Sequence, residues 1–323
     1  MKSLWRLIIA VAILVALGLY LRFPAKPAKS AAPDDLVTFQ PSQVNRVQVD
    51  RPGQPQVILD RDHGQWRLEQ PYPAAADSGA VSTLLTTASS IMPAEKLGAV
   101  QKLAPFGLDQ PASVALQLGN GKTYTFLLGG TSPTSENVYL KLASSPNVYT
   151  VPAYVKTDLE QTAFALQDKS LLDFDADQVS RVTLQDHGRT LTFTRTKGAW
   201  PKAEASNLND LTSAFANAEM DAMVSPQGTD PAKYGLVNPP ITVQFAWPDG
   251  SGEVVIGHKK GASDYYARNG DDPAIYTVNS YLLDDIHSLA KPAKPQAAAK
   301  KTPRRAEPRA PVARKPAPPK ASR

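Results

Sequence analysis

The apolar positions divide the chain into three parts. Fifteen uncharged residues, Leu7 to Leu21, lie between Arg6 and Arg22. From residue 36 to residue 289, apolar residues recur at the two-residue spacing of strands or the three-to-four-residue spacing of helices. After that point large apolar residues almost disappear. The pattern predicts a membrane anchor and linker over residues 1–30, a folded body, and a disordered tail over residues 290–323.

The body contains two copies of one pattern, and the clearest match lies at the start of each copy. The matching residues are Phe39-x4-Val44-x2-Val47 in the first copy and Phe174-x4-Val179-x2-Val182 in the second. A hairpin and strand then lead to Trp66 in one copy and Trp200 in the other, at an offset of 134 residues. Such agreement indicates an internal repeat.

A helix follows in each copy, because the apolar residues there fall on one stripe at helical spacing. The stripes are Val81, Leu84, Leu85, Ala88 and Ile91 in the first copy and Leu208, Leu211, Phe215 and Ala218 in the second. Asp77 and Asn207 precede these stripes, where a side-chain oxygen can cap free backbone N–H groups. We therefore predict both residues as helix N-caps.

Alternating strands come next. Phe106-Gly107-Leu108 matches Tyr234-Gly235-Leu236, and each precedes a period-two apolar strand and a glycine-containing hairpin turn. The second strand of each hairpin is predicted to end at Gly129 or Gly257. A last match, at an offset of 127 residues, pairs the strand at Val148-Tyr149 with that at Ile275-Tyr276, and an amphipathic segment follows both.

These elements predict an α+β fold. We expect two tandem similar units, residues 36–172 and 173–289, each an antiparallel sheet with helices on one face, after an N-terminal transmembrane helix. The predicted joint between the units is Leu171 to Asp173.

The apolar run of Leu7 to Leu21 is short for a membrane span, which needs about 20 residues unless flanking residues join it and the arginines snorkel. We interpret it as an uncleaved, single-pass signal-anchor that places the body outside the cytoplasm. Two alternatives stay open: cleavage near Ala28-Lys29-Ser30, and a cytoplasmic body. The expected location is the bacterial inner membrane, with a periplasmic body.

Charge is distributed unevenly. Residues 31–289 carry 19 basic and 29 acidic residues, whereas residues 290–323 carry 11 basic residues and one acidic residue, Glu307. The acidic body argues against specific nucleic-acid binding. The tail, with its eight prolines, favours an extended, partly polyproline II chain. Such a chain can contact anionic lipid headgroups, other envelope polyanions, nucleic acid or the acidic body, or it can stay solvated.

No motif identifies an enzyme. Gly121-Lys122-Thr123 lacks the first glycine of a phosphate-binding loop, and Asp173-x-Asp175-x-Asp177 lacks the glycine and glutamate of a calcium loop. His63, His187, His258 and His287 show no zinc-type spacing. We predict no catalytic, cofactor-binding or metal-binding residues, and we expect the two tryptophans to pack in the cores rather than to stack on sugars.

The layout of residues 36–289 resembles the bacterial family called domain of unknown function 4340. The resemblance rests on Trp66 with Pro71, the helix from Val81, Phe106-Gly107-Leu108 and the Val148-Tyr149 strand, while the second copy has Pro201-Lys202 after its tryptophan. It implies a membrane-anchored extracytoplasmic protein, found beside ABC-type transport components of the kind named for gliding motility. It brings no catalytic residues.

The expected function is thus a non-enzymatic accessory or scaffold protein of an ABC-type transport complex or another envelope complex, with ABC transporter subunits as possible partners. The alternative is an envelope module that binds glycan, lipid or peptide in the groove between the repeats. A concave apolar or aromatic pocket there would favour the alternative. A hydrolase would need clustered titratable groups in that groove.

Overall fold

The structure is a computed structural model that describes residues 36–270 and 272–290. These residues form an α+β fold with two antiparallel sheets. The predicted anchor at Leu7 to Leu21 and the predicted tail after Ala290 lie outside the described residues. Within the described part of the chain, no helix is both long enough and apolar enough to cross a membrane.

The first sheet has nine strands in the order β4-β3-β2-β1-β6-β7-β8-β9-β5. In chain order they are β1 (Val44–Asp50), β2 (Val57–Asp62), β3 (Gln65–Gln70), β4 (Ala74–Ala75), β5 (Glu95–Ala99), β6 (Ala112–Leu118), β7 (Thr123–Thr131), β8 (Asn137–Leu142) and β9 (Asn147–Pro152). Three helices bury side chains in the same core as these strands. They are α1 (Ser78–Ser89), α2 (Ala153–Leu159) and α3 (Ala163–Leu166).

The second sheet has seven strands in the order β11-β10-β13-β14-β15-β16-β12. In chain order they are β10 (Arg181–Asp186), β11 (Arg189–Thr194), β12 (Ala222–Ser225), β13 (Ile241–Trp247), β14 (Gly250–Lys260), β15 (Asp264–Asn269) and β16 (Ile275–Asn279). Helices α4 (Ala205–Ala216) and α5 (Tyr281–Ala290) complete a separate core.

Seven strands of the first sheet and the seven strands of the second have the same order. The run β2-β1-β6-β7-β8-β9-β5 corresponds to β11-β10-β13-β14-β15-β16-β12. Only β3 and β4 have no counterpart among the strands of the second sheet. Consequently β2 is covered by further strands, whereas the corresponding β11 is the edge of its sheet.

Of the two predicted helix caps, one is confirmed and one is wrong. Asp77 caps α1, and its Oδ1 accepts hydrogen bonds from the backbone N–H groups of Gly79 and Ala80 at 2.8 and 3.0 Å. Asn207 lies inside α4. That helix starts earlier because the Glu204 carbonyl already accepts from the Leu208 N–H at 2.9 Å, so the N-cap position falls on Glu204.

The predicted strand ends at Gly129 and Gly257 are also wrong. Strands β7 and β14 continue beyond these glycines, and their pairing with the next strand shifts register there. A Cβ on Gly129 would lie 2.3 Å from the Phe106 carbonyl oxygen, and one on Gly257 would lie 2.1 Å from that of Tyr234. Glycine is required because another backbone segment packs directly on the strand.

The predicted joint is closely bonded on both sides. The Asp168 N–H donates to the Ala75 carbonyl at 2.9 Å, while the Leu171 N–H donates to the Ala218 carbonyl at 3.0 Å. Leu171 and Leu172 bury their side chains in the second core. The segment from residue 167 to 172 therefore hydrogen-bonds to elements of both sheets and leaves a hollow beside it.

Candidate functional site

The hollow beside the joint is a cavity of about 540 Å³. The first sheet contributes the residues around β4, and the second contributes β12 and the turn between β15 and β16. Its apolar wall includes Leu171, Met220 and Met223. Met223 belongs to β12 but packs against the first core, so the wall crosses from one unit to the other.

One side of the cavity carries a buried polar pair. The Tyr72 hydroxyl donates to Gln167 Oε1 at 2.7 Å, and both side chains are buried. Burial raises the pKa of the Tyr72 phenol, which therefore stays protonated at neutral pH. The Gln167 amide nitrogen lies 3.9 Å from the Met220 sulfur. A thioether is a weak acceptor, so this amide can still donate to a better one.

Tyr276 is the most unusual group at the cavity. The residue is 1% exposed, and its hydroxyl has no hydrogen-bond partner among the described residues. Burial, and then the nearby Asp272 carboxylate, raise the pKa of this phenol, while Arg268 acts in the opposite direction. The hydroxyl is thus a neutral donor without an acceptor. Leaving such a group unsatisfied costs about 1–3 kcal/mol.

Two carboxylates stand on the exposed rim. Asp168 Oδ1 accepts from the Ser170 N–H at 2.9 Å, and Asp272 Oδ1 accepts from the Ala274 N–H at 2.9 Å. These bonds fix the carboxylates at the cavity, which both residues line. The site therefore combines an apolar wall, buried neutral donors and a negatively charged rim.

A second hollow, of about 610 Å³, lies on the second sheet next to this cavity. Its lining is polar and includes Arg181, Thr183 and Glu253, and the Glu253 carboxylate accepts from the Gln244 amide. Because the Glu253 carboxylate is already paired and the lining is mostly polar, this hollow resembles a solvated sheet face more than a binding site.

The motifs considered in the sequence do not converge on the cavity. Lys122 lies in the hairpin between β6 and β7, and Asp175 accepts from the Asp177 N–H at 2.9 Å in a local turn. His63 and His187 occupy tight hairpin turns with positive φ. In residues 36–270 and 272–290, no three His, Cys, Asp or Glu side chains are grouped so as to hold a metal ion.

Trp66 and Trp200 each lie next to an arginine, a contact that was not predicted from the sequence. The guanidinium of Arg61 lies 6.0 Å from the Trp66 ring, and that of Arg195 lies 4.7 Å from the Trp200 ring. Each arginine also donates to a carbonyl of the short 3-10 helix that precedes its own unit's first strand. These helices are Pro41–Gln43 for Arg61 and Ala176–Gln178 for Arg195. Trp200 is buried in the second core, and Trp66 is half-buried against the first. The sequence carries one signal for this contact, which is an arginine five residues before each tryptophan.

The described residues thus form a two-sheet α+β fold with a cavity at the joint. The matching family model is Domain of unknown function (DUF4340), which covers residues 66–239 and, in an overlapping second match, residues 198–297. The chain belongs to this family. The two matches are consistent with a tandem arrangement. No curated protein and no solved structure matches the chain.

Proposed function

We propose that the protein is a non-enzymatic binding module of the bacterial envelope. In this proposal Leu7 to Leu21 anchor it in the inner membrane as a single-pass segment, and the periplasmic body takes an extended, mainly apolar peptide in the joint cavity. The observation that carries the proposal is the buried hydroxyl of Tyr276, which has no hydrogen-bond partner among the described residues and belongs to a residue that lines a cavity formed by both sheets.

A peptide suits the cavity better than a glycan or a lipid. The volume of about 540 Å³ lies in the range of about 300–1,000 Å³ that small-ligand sites occupy. A peptide offers carbonyl acceptors to Tyr276 and Gln167 and small apolar side chains to Met220 and Met223. A glycan favours exposed aromatic platforms, but the two aromatic residues that line the cavity, Tyr72 and Tyr276, are buried. An acyl chain would leave the buried donors without acceptors.

The methionines provide a direct test. The chain has four, and two of them, Met220 and Met223, line the cavity, while Met92 is 73% exposed elsewhere in the first unit. We expect a short peptide of alternating alanine and proline, added to the chain ending at Ala290 in detergent, to shift the labelled methyl NMR signals of the cavity methionines and to leave that of Met92 in place.

A matched pair of variants controls this test. Ala75 and Ala99 are exposed alanines on the two edge strands of the first sheet, but only Ala75 lines the cavity. Ala75→Trp is expected to abolish the shifts and Ala99→Trp to keep them. Equal shifts of all methionine signals, or none at saturating peptide, would refute peptide binding in the cavity.

A second candidate, favoured by the open edge of β11, is an accessory or scaffold protein of an ABC-type transport complex. An unpaired edge strand can receive a strand from a partner. If it does, stoichiometric transporter subunits should co-purify from gently solubilised membranes. Thr192→Lys, on exposed β11, should remove them, and Thr123→Lys, on exposed β7, should not. Purification without partners would count against this candidate.

A further inference from the structure

We infer that the joint cavity is occupied by the chain's own C-terminal tail, through the segment Arg309-Ala310-Pro311-Val312-Ala313-Arg314. This inference rests on the proposed function, because it names the peptide that the same site takes. It adds a regulatory role: the tail competes with any external peptide for the cavity.

The chemistry of the segment matches that of the cavity. Val312 is the only branched apolar residue after Ala290, and it lies in a run of small apolar residues that suits the wall of Met220 and Met223. Proline lacks a backbone N–H, and the polyproline II conformation leaves carbonyl groups free to accept hydrogen bonds. Those carbonyls would supply the acceptor that the Tyr276 hydroxyl lacks among the described residues, and a better acceptor than the Met220 sulfur for the Gln167 amide.

Charge adds specificity. Arg309 and Arg314 flank the apolar run, and the carboxylates of Asp168 and Asp272 stand on the cavity rim. A basic residue at each end of the bound segment can therefore face an acidic rim. Over longer distances, the net charges of residues 31–289 and 290–323 have opposite signs and attract each other.

The tail is long enough to reach the cavity. Its start is fixed on the second unit, where Arg189 Nη1 donates to the Ala290 carbonyl at 2.8 Å. Eighteen residues separate Ala290 from Arg309. An extended polyproline II chain of that length covers roughly 55 Å. This exceeds the diameter of a sphere with the radius of gyration expected for a folded body of this size, about 46 Å. Because tail and site are linked, the effective tail concentration is on the order of millimolar.

The test compares the full chain with the chain ending at Ala290, both in nanodiscs of neutral lipid, by the methionine methyl signals. Removing the tail should shift the signals of Met220 and Met223 and leave that of Met92 in place. The double variant R309E/R314E should reproduce the deletion. The matched control K300E/K301E changes the tail charge equally but lies outside the docking segment, and it should leave the cavity signals unchanged.

Three results would overturn the inference. The first is that tail removal leaves the cavity signals where they are. The second is that K300E/K301E acts as strongly as R309E/R314E, which would indicate general charge attraction. The third is that labelled chains ending at Ala290 show the full-chain shifts when mixed with unlabelled full chains, which would place the tail in a second copy.

A further arm separates this inference from the proposed function. Alanine-proline peptide that binds equally well to the full chain and to the chain ending at Ala290 would overturn tail occupancy and keep peptide binding. Failure to bind the chain ending at Ala290 would overturn both. We expect the peptide to bind the full chain with an apparent affinity at least tenfold weaker than its affinity for the chain ending at Ala290. In anionic nanodiscs, a recovery of the affinity for the full chain would show that lipid removes the tail from the cavity.

Discussion

The two units differ most at the strand that follows their first strand. In the first unit β2 pairs with β3, and β3 with β4, whereas among the described residues the corresponding β11 is the edge strand of the second sheet. The chain leaves β3 and enters the cavity wall at Tyr72, so one extension both closes a sheet edge and builds the site. In the second unit Pro201 follows Trp200, and proline cannot donate to a strand ladder. Asymmetry between the repeats thus gives one site at the joint.

The largest expected effect comes from the extension itself. Leu68 of β3 is fully buried, and the matching position at an offset of 134 residues is the exposed Lys202. Leu68→Ala should lower the free energy of unfolding by about 3–4 kcal/mol because it leaves a cavity in the first core. Lys202→Ala should change it by less than about 0.5 kcal/mol. Chemical denaturation measures both, and equal effects would show that the extension does not stabilise its unit.

The next largest effect concerns the glycine that lies at the register shift of β7 and of β14. Gly129→Ala and Gly257→Ala each place a methyl group against a backbone carbonyl, and each should destabilise its unit by about 2–3 kcal/mol. Gly119→Ala is the control, since its nearest new contact lies at 3.6 Å. Unfolding curves for the three variants would contradict the shared role if Gly119→Ala cost as much as the other two.

Two cavity tyrosines should respond with opposite signs. Tyr276→Phe removes an unpartnered buried hydroxyl and should raise the free energy of unfolding by about 1 kcal/mol in the chain ending at Ala290. Tyr72→Phe removes the bond to Gln167 and should lower it by about 1 kcal/mol. Thermal unfolding measures the pair. A loss of stability in both would mean that Tyr276 has a partner in the free protein.

The smallest expected effect distinguishes α2 from α5, the helices that follow β9 in the first unit and β16 in the second. Asp158 of α2 accepts from Thr87 Oγ1 at 2.8 Å, whereas the matching Asp285 of α5 has its pKa raised by burial and by the nearby Asp210 and Asp284. A raised carboxyl pKa penalises the folded state above that pKa, and the penalty vanishes below the usual value of 3.8. Asp285→Asn should therefore stabilise the protein by less than about 1 kcal/mol at neutral pH, and Asp158→Asn should not.

The measurement for this last pair is the free energy of unfolding as a function of pH. The gain from Asp285→Asn should shrink as the pH falls through the acid range, and it should also shrink in high salt. A gain that stays constant down to low pH would show that the burial of an ionised Asp285 carboxylate beside Asp210 and Asp284 is not its cause.

The local part of this fold was predictable from the sequence, and the site was not. Period-two runs gave strands such as β6 and β13, and the apolar stripe together with Asp77 gave α1, because these signals depend on neighbouring residues. The bulges at Gly129 and Gly257 were missed because their cause is a distant carbonyl. The cavity was expected only as a groove between repeats. Its donors, Tyr276 and Gln167, are far apart in the chain.

The backbone bonds at the joint have a mechanical consequence. The short segment ending at Leu171 is hydrogen-bonded to Ala75 on one side and to Ala218 on the other, so it links the two sheets through backbone bonds at both of its ends. A twist of one sheet against the other would strain these bonds and change the space between them. Force applied at one end of the chain would then change the affinity of the joint cavity for its ligand.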